Sequence, residues 1–421
     1  MIWSHCFEVR ASFSRIAVAV TALVGVVVLA PAGVAAREIG PDADLCGEIH
    51  AVPPGEELVL APGDYQGPCA IRRGGEPGAP LVIRAADPAR RPRIMYGGRA
   101  TNVFEVRASH VTIRGLEFGP TQQDVDAVRI FKGNGVTVED CHFTQLGGIA
   151  VVANHSSVRG LVVRRNVIRS STATAMYFGC HDGIGCIVSG LVVEGNFIEG
   201  INAPDPEIGY GIQVKLNSSA VIRDNTVIKT KGPGIMVYGS QDLTTSSLVE
   251  RNVTIGSRHS AGILIGGGPV IIRNNIAVSN DEGGITLEDY KKRGLLRGVI
   301  VVSNTGYGNR LGGVTVPESG ISDVIIVNNA ADAGTAPKAY PRLQAGLRVR
   351  GNVDCSMMLC FANPTQYDFS PNAASFLRAA GVSWGEAWMP REDYFGARRA
   401  DPPTVGAIER PARPLTLTPK P

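Results

Sequence analysis

Three observations predict an all-β chain, folded as a single-stranded, right-handed parallel β-helix with N- and C-terminal caps. First, a short phrase recurs along most of the 421 residues: two or three β-branched residues, a charged or small residue, Asn, then another apolar residue. Second, another phrase sits between the copies, Gly or a small residue followed by an alternating strand. Third, no stretch of the repeating region carries an apolar period of 3.6, so no crossover helix is available. Strands that return at roughly 23–30 residues per copy without helices must coil and stack, each coil burying inward residues against its neighbours.

In chain order, the first element is an export signal over residues 1–36. Arg10 and Arg15 precede the apolar run Ile16 to Ala30, and Val34-Ala35-Ala36 is a small-residue cleavage pattern before Arg37. An uncleaved anchor is the alternative, because Ile16 to Ala36 is nearly long enough to span a bilayer; Pro31 and the small residues favour cleavage. After cleavage no stable membrane insertion is expected, and the mature chain is placed in the periplasm or outside the cell.

Residues 37–80 are read as the N-terminal cap, in which Leu58 to Ala61 is a strand running into the Pro62-Gly63 turn. Coils are expected over 81–354. The Asn phrase appears as Val162-Val163-Arg164-Arg165-Asn166-Val167-Ile168, as Val192 to Ile198 and as Val221 to Val227. It continues through Asn252, Asn275, Asn304 and Asn329, and Cys141 takes the same place in an earlier copy. Asn tolerates the left-handed conformation at a sharp corner, and its amide can bond backbone or a stacked Asn in the next coil. Residues 355–409 lose the repeat and form the expected C-terminal cap, with a short helix over Ala373 to Ala380. Residues 410–421 are Pro-rich and expected to be disordered.

The formal charge of +3 and the lack of basic runs interleaved with aromatics argue against nucleic acid as a partner. The cysteines fit an oxidising compartment: Cys46 with Cys69, Cys180 with Cys186 and Cys355 with Cys360 form plausible bridges, leaving Cys141 as a buried free thiol. Zinc is the weaker alternative, since no paired C-x2-C set is present.

The segments Leu60-Ala61-Pro62-Gly63-Asp64-Tyr65, Pro80 to Ala85 and Val111 to Phe118 resemble the opening of β-helix proteins of the pectate-lyase-like superfamily. Asp393 to Arg398 with Val405 to Glu409 is similar to the closing segment of such proteins. Within the superfamily the chain most resembles polysaccharide lyases typified by alginate lyase and chondroitinase B. That implies an acidic polysaccharide as substrate, and a monomer is the expected state.

Alternation also selects candidate site residues. In the second strand of each coil Ile212 and Val214 point inward, so Gln213 and Lys215 point outward. With coils about 4.8 Å apart, Lys215 should neighbour Tyr238 and Tyr177 should neighbour Gln213 on one solvent-facing sheet, with Glu288 further along. β-Elimination of a uronate needs a base for the C5 proton, a group that neutralises the carboxylate and an acid for the leaving oxygen. Lys215 is assigned as base and Tyr238 as proton donor. Tyr177, Gln213, His181, Asp182 and Glu288 are assigned to substrate binding, the pair His181-Asp182 being presented by the loop from Cys180 to Cys186.

The resemblance implies a Lys in a phrase like Ile-x-Val-Lys-Ser, with an Arg one coil later. Ile212-Gln213-Val214-Lys215-Leu216 reproduces the Lys, whereas Tyr238 stands at the Arg position. The family's calcium-binding acids lie shortly before the Lys; here Asp205 and Glu207 do not match the spacing, so Ca2+ is possible but no metal ligand is assigned. A C5-epimerase begins with the same proton abstraction and stays open. So does a non-catalytic carbohydrate-binding or cell-surface structural β-helix, in which Lys215 is a solvated surface lysine and the tyrosines form a stacking ladder. A hydrolase is disfavoured, since no Asp pair on this strand set gives opposed carboxylates.

Overall fold

The computed structural model describes residues 35–242 and 244–419. The expected export signal, residues 1–36, lies outside the described residues except for its last two positions. Among the described residues, three parallel sheets of 13, 10 and 12 strands run along the solenoid. The Asn phrase serves two of them. Val162–Arg164, before Asn166, belongs to the 13-stranded sheet, and Val167–Arg169, after it, to the 12-stranded sheet. The Gly-led phrase supplies the 10-stranded sheet, as in Met176–Phe178.

The inward residues stack in columns. Leu58, Ile83, Ile113, Val138, Val163 and Val193 are paired in register along the 13-stranded sheet and fully buried. In the 12-stranded sheet the corresponding column begins with Tyr65 and Ile94, continues through Phe118 and Phe143, whose rings stack 5.2 Å apart, and narrows to Ala277, Gly306 and Ala331 near its end. Outward positions of the 13-stranded sheet alternate in charge over several coils: Arg114, Glu139, Arg164, Glu194 and Arg223 are successive partners. Glu139 accepts from Arg114 at 2.5 Å and from Arg164 at 2.6 Å, which satisfies its buried carboxylate.

The corner asparagines form a continuous ladder from Asn166 to Asn352. Each side-chain oxygen accepts from the backbone N–H and the amide of the preceding Asn; at Asn225 these distances are 3.0 and 2.9 Å. Cys141 joins the ladder by donating its backbone N–H to the Asn166 oxygen at 3.0 Å. The left-handed conformation falls one residue earlier than the sequence argument places it. Arg165, Asp224, Arg251, Asn274, Ser303 and Asn328, each the residue before a ladder Asn, have φ between 51° and 58°, and Gly195 and Gly351 hold the same place at 64°. The Asn is therefore selected by its amide, and the bend is made by its neighbour.

The ends differ from expectation in four respects. The strands Ala36–Ile39 and Glu57–Leu60 already pair within the 13-stranded sheet, so stacking starts before residue 81. A helix, Leu45–Ala51, covers the first coil, with Asp44 accepting from Gly47 N–H. Ala373 to Ala380 forms turns and no helix. The tail is seated, not loose: Leu415 is buried and its N–H donates to Tyr367 O at 3.0 Å.

The cap segment lies along the side of the solenoid. Trp384 and Trp388 pack on Ile271, Ile300 and Ile325 outside the 13-stranded sheet. Phe361, Phe369, Val405 and Ala407 cover Ile255, Ile276 and Val278 outside the 12-stranded sheet. The three expected cysteine pairs are disulfides, and Cys141 is free and buried. No described helix is long and apolar enough to cross a membrane.

Candidate active site

The outer face of the 10-stranded sheet carries a cleft of about 570 Å³. Its floor follows from strand alternation. Arg129, Val152, Tyr177 and Gln213 are successive register partners in one outward column. Gly179, Lys215, Tyr238 and Gly266 form the neighbouring column, each one residue beyond a paired strand position. Two walls rise from loops. One is the turn Pro206–Ile208 leading to Tyr210, tied down where Thr174 donates its hydroxyl to Ile208 O at 2.9 Å. The other brings Tyr290, from the turn Tyr290–Lys292, edge-on against Tyr238 with ring centroids 4.7 Å apart.

These walls change the setting of the predicted residues. Lys215 and Tyr238 are 3% and 4% exposed, so the sheet is not open to solvent at this place as the sequence reading had it. Lys215 Nζ lies 3.4 Å from Tyr238 Oη and 3.4 Å from His181 Nδ1. It also sits 4.4 Å from the Tyr238 ring centre and 4.9 Å from that of Tyr177. Gln213 donates its amide to Tyr238 Oη at 3.1 Å. The two glycines make this packing possible. A Cβ on Gly179 would come within 3.0 Å of Lys215 Cβ, and one on Gly266 within 3.2 Å of Tyr290 Cβ.

Burial, aided by the charges of Lys291 and Arg293, brings the Lys215 amine down to about 8. Burial and the adjacent Tyr210 hold the Tyr238 phenol far above its usual value. Tyr177 is pushed up to about 12 by burial. The charge on Lys215, then burial, lowers His181, which favours its neutral form. The cleft thus holds an amine that deprotonates near pH 8 beside a phenol that stays protonated.

The structure brings together Tyr177, His181, Gln213, Lys215 and Tyr238. It leaves two assigned residues outside. Asp182 turns back to accept from the N–H groups of Ile184 and Gly185, so it holds its own loop. Glu288 is exposed and lies beyond the cleft, because Gly266 separates it from Tyr238 in the column. Nor do the tyrosines form one ladder, since Tyr177 and Tyr238 stand on opposite sides of Lys215 in register order.

Sequence reasoning missed Tyr210, Tyr290, Asp126 and Arg129, all of which line the cleft. Arg129 was available from alternation: it precedes Tyr177 by two strands in the same column. Tyr210 sits at a corner and Tyr290 in an irregular turn, where no period applies. Arg129 bonds Asp126 at 3.1 Å and Asn154 at 3.0 Å.

The acids do not suit calcium, which takes six to eight oxygen ligands. Asp205 accepts from the Glu207 N–H, both acids are exposed, and Asp126 is committed to Arg129 and the Ile149 N–H. Among the described residues the one group with metal-ligand spacing is Cys46, His50 and Cys69, and its two sulfurs are joined in a disulfide.

The chain belongs to the family described as the right-handed β-helix region, which matches residues 126–305 and, overlapping, 210–353. The predicted likeness to pectate-lyase-like proteins holds. Pectate lyase Pel9A is 17% identical, with 90% of this chain and 98% of that chain covered and a TM-score of 0.52. XylC in complex with xylose is 9% identical, with 89% and 96% covered and a TM-score of 0.58. The PL6 family polysaccharide lyase Pedsa3628 from Pseudopedobacter saltans is 12% identical, with 77% and 92% covered and a TM-score of 0.46. At these identities the likeness is one of fold. No curated protein matches the chain in sequence.

Proposed function

We propose that this chain is an exported polysaccharide lyase that cleaves a uronate-containing polysaccharide by β-elimination. The observation that carries the reading is the buried Lys215 Nζ, 3.4 Å from Tyr238 Oη at the base of a cleft. A lysine that merely decorates a sheet stays solvated and fully charged. This one is desolvated without a carboxylate partner, which turns an ammonium into a usable base. Neutral Lys215 takes the C5 proton, the C4–O bond breaks as the C4–C5 double bond forms, and the leaving oxygen takes the Tyr238 proton. Lys291 and Arg293 supply the positive field that favours an anionic ring. The faces of Tyr177 and Tyr290 offer apolar surfaces for a sugar, and no step requires a metal.

A second reading rests on the same base. If the proton returns to C5 from the other face before the C4–O bond breaks, the product is an epimer. The tyrosine beside Lys215 favours elimination, since it supplies an acid for the leaving oxygen. The three disulfides support export to an oxidising compartment.

The test is the ultraviolet absorbance of unsaturated uronate, released from acidic polysaccharides by the mature protein with a chelator present. Wild type should give product, and Lys215→Ala, folded by circular dichroism, should give at least roughly a thousandfold less. Equal rates for the two proteins would remove Lys215 from the chemistry.

A further inference from the structure

We infer that Lys215 and Tyr238 work on the same face of the bound sugar, so that elimination is syn and the substrate is a uronan whose C5–H and C4–O bonds are cis. The inference rests on the lyase reading above and adds its stereochemistry. Lys215 and Tyr238 follow the paired residues Val214 and Val237 on adjacent strands, so both side chains leave the sheet in one direction. Their reacting atoms are 3.4 Å apart, closer than the two faces of a pyranose allow for groups on opposite sides of it. A ring lying over this column meets base and acid from one side only.

Ring chemistry then sorts the possible substrates. In D-mannuronate and D-glucuronate the C5 hydrogen and the C4 oxygen lie on one face. In D-galacturonate the C4 oxygen is inverted, and in L-guluronate and L-iduronate C5 is inverted, so the two bonds are trans. A trans pair would require an acid across the ring from Lys215. Of the charged groups that line the far end of the cleft, Arg129 and Asp126 do not serve. Arg129 is two strands beyond Tyr177, about 14 Å from the Lys215 strand, and Asp126 is bound to it.

The same contact closes the proton cycle. The C5 proton moves to the Lys215 amine, and the C4–O electron pair leaves with the oxygen. That oxygen takes the Tyr238 phenolic proton, which leaves an ammonium facing a phenolate. The ammonium then returns one proton directly to the phenolate, and both groups are reset without a water. The high affinity of the buried Tyr238 oxygen for a proton drives this return.

The experiment uses the mature full chain on four polymers: polymannuronate and glucuronan as the cis pair, polyguluronate and polygalacturonate as the trans pair. Unsaturated product is read by absorbance, and C5 hydrogen exchange by NMR in D2O. The expected result is cleavage of at least one cis polymer, faster than either trans polymer by at least roughly a hundredfold. Tyr238→Phe should lose cleavage of that polymer yet keep C5 exchange. Trans polymers cleaved as fast as or faster than cis ones would overturn the syn inference and leave the lyase reading standing. Exchange without cleavage on every polymer would overturn it in favour of epimerisation. Neither cleavage nor exchange on any of the four would defeat the lyase reading itself.

Discussion

Lys215 stands in an environment that disfavours its own charge. It is 3% exposed, its hydrogen-bond neighbours are a histidine and a phenol, and Lys291 and Arg293 add like charge. Its amine is lowered to about 8 in the folded chain, against about 10.4 for an unperturbed lysine. A lowered lysine pKa means that the unfolded chain binds the extra proton between those values, so stability rises with pH across that window. Below about 8 the cost of the buried charge is present in full. Lys215→Met should therefore abolish turnover and raise stability, by about 2 kcal/mol at pH 7, with the gain shrinking toward pH 10. Urea unfolding of both proteins at several pH values measures it; a destabilised Lys215→Met would show that the amine is not held at a cost. The position of Lys215 was legible because Ile212-Gln213-Val214-Lys215 alternates cleanly. Its burial was not, because the walls that cover it come from Tyr210 and Tyr290, in segments without a period.

Among the elements, the Asn ladder ties coil to coil where the chain turns. Asn225 accepts from the Asn196 N–H and amide and donates to Val193 O, Arg223 O and Asn252 Oδ1. Asn225→Ala leaves several of these buried groups without partners and is expected to cost about 3 kcal/mol, read as a lowered urea midpoint. A change under about 0.5 kcal/mol would mean that the ladder is ornamental, since that is the range of ordinary surface substitutions. The repeat announced the ladder because it recurs after the same apolar residues. The left-handed corner was misplaced by one residue because the Asn recurs in every coil of the ladder, whereas the residue before it varies, as in Arg165, Gly195, Asp224 and Ser303. The helix Leu45–Ala51 was missed because seven residues hold too few turns to display a period.

Across the whole molecule, the C-terminal segment covers the outer faces of two sheets with Trp384, Trp388, Phe361 and Phe369 and leaves the cleft face to the third. The solenoid direction was legible from the repeat, whereas the path of residues 355–419 depended on which outer face offered apolar surface. The cleft exists because regular strands set Lys215 and Tyr238 side by side and irregular loops exclude water from them. The proposed role of Lys215 as the base rests on that combination, and it is tested most directly by the pH dependence of kcat/KM for elimination. This parameter reports the free enzyme. The account predicts a rise with a midpoint near 8 and no falling limb up to about pH 10, because Tyr238 stays protonated. A flat profile from pH 6 to 10, or a fall through pH 8, would contradict the assignment of Lys215 as the base.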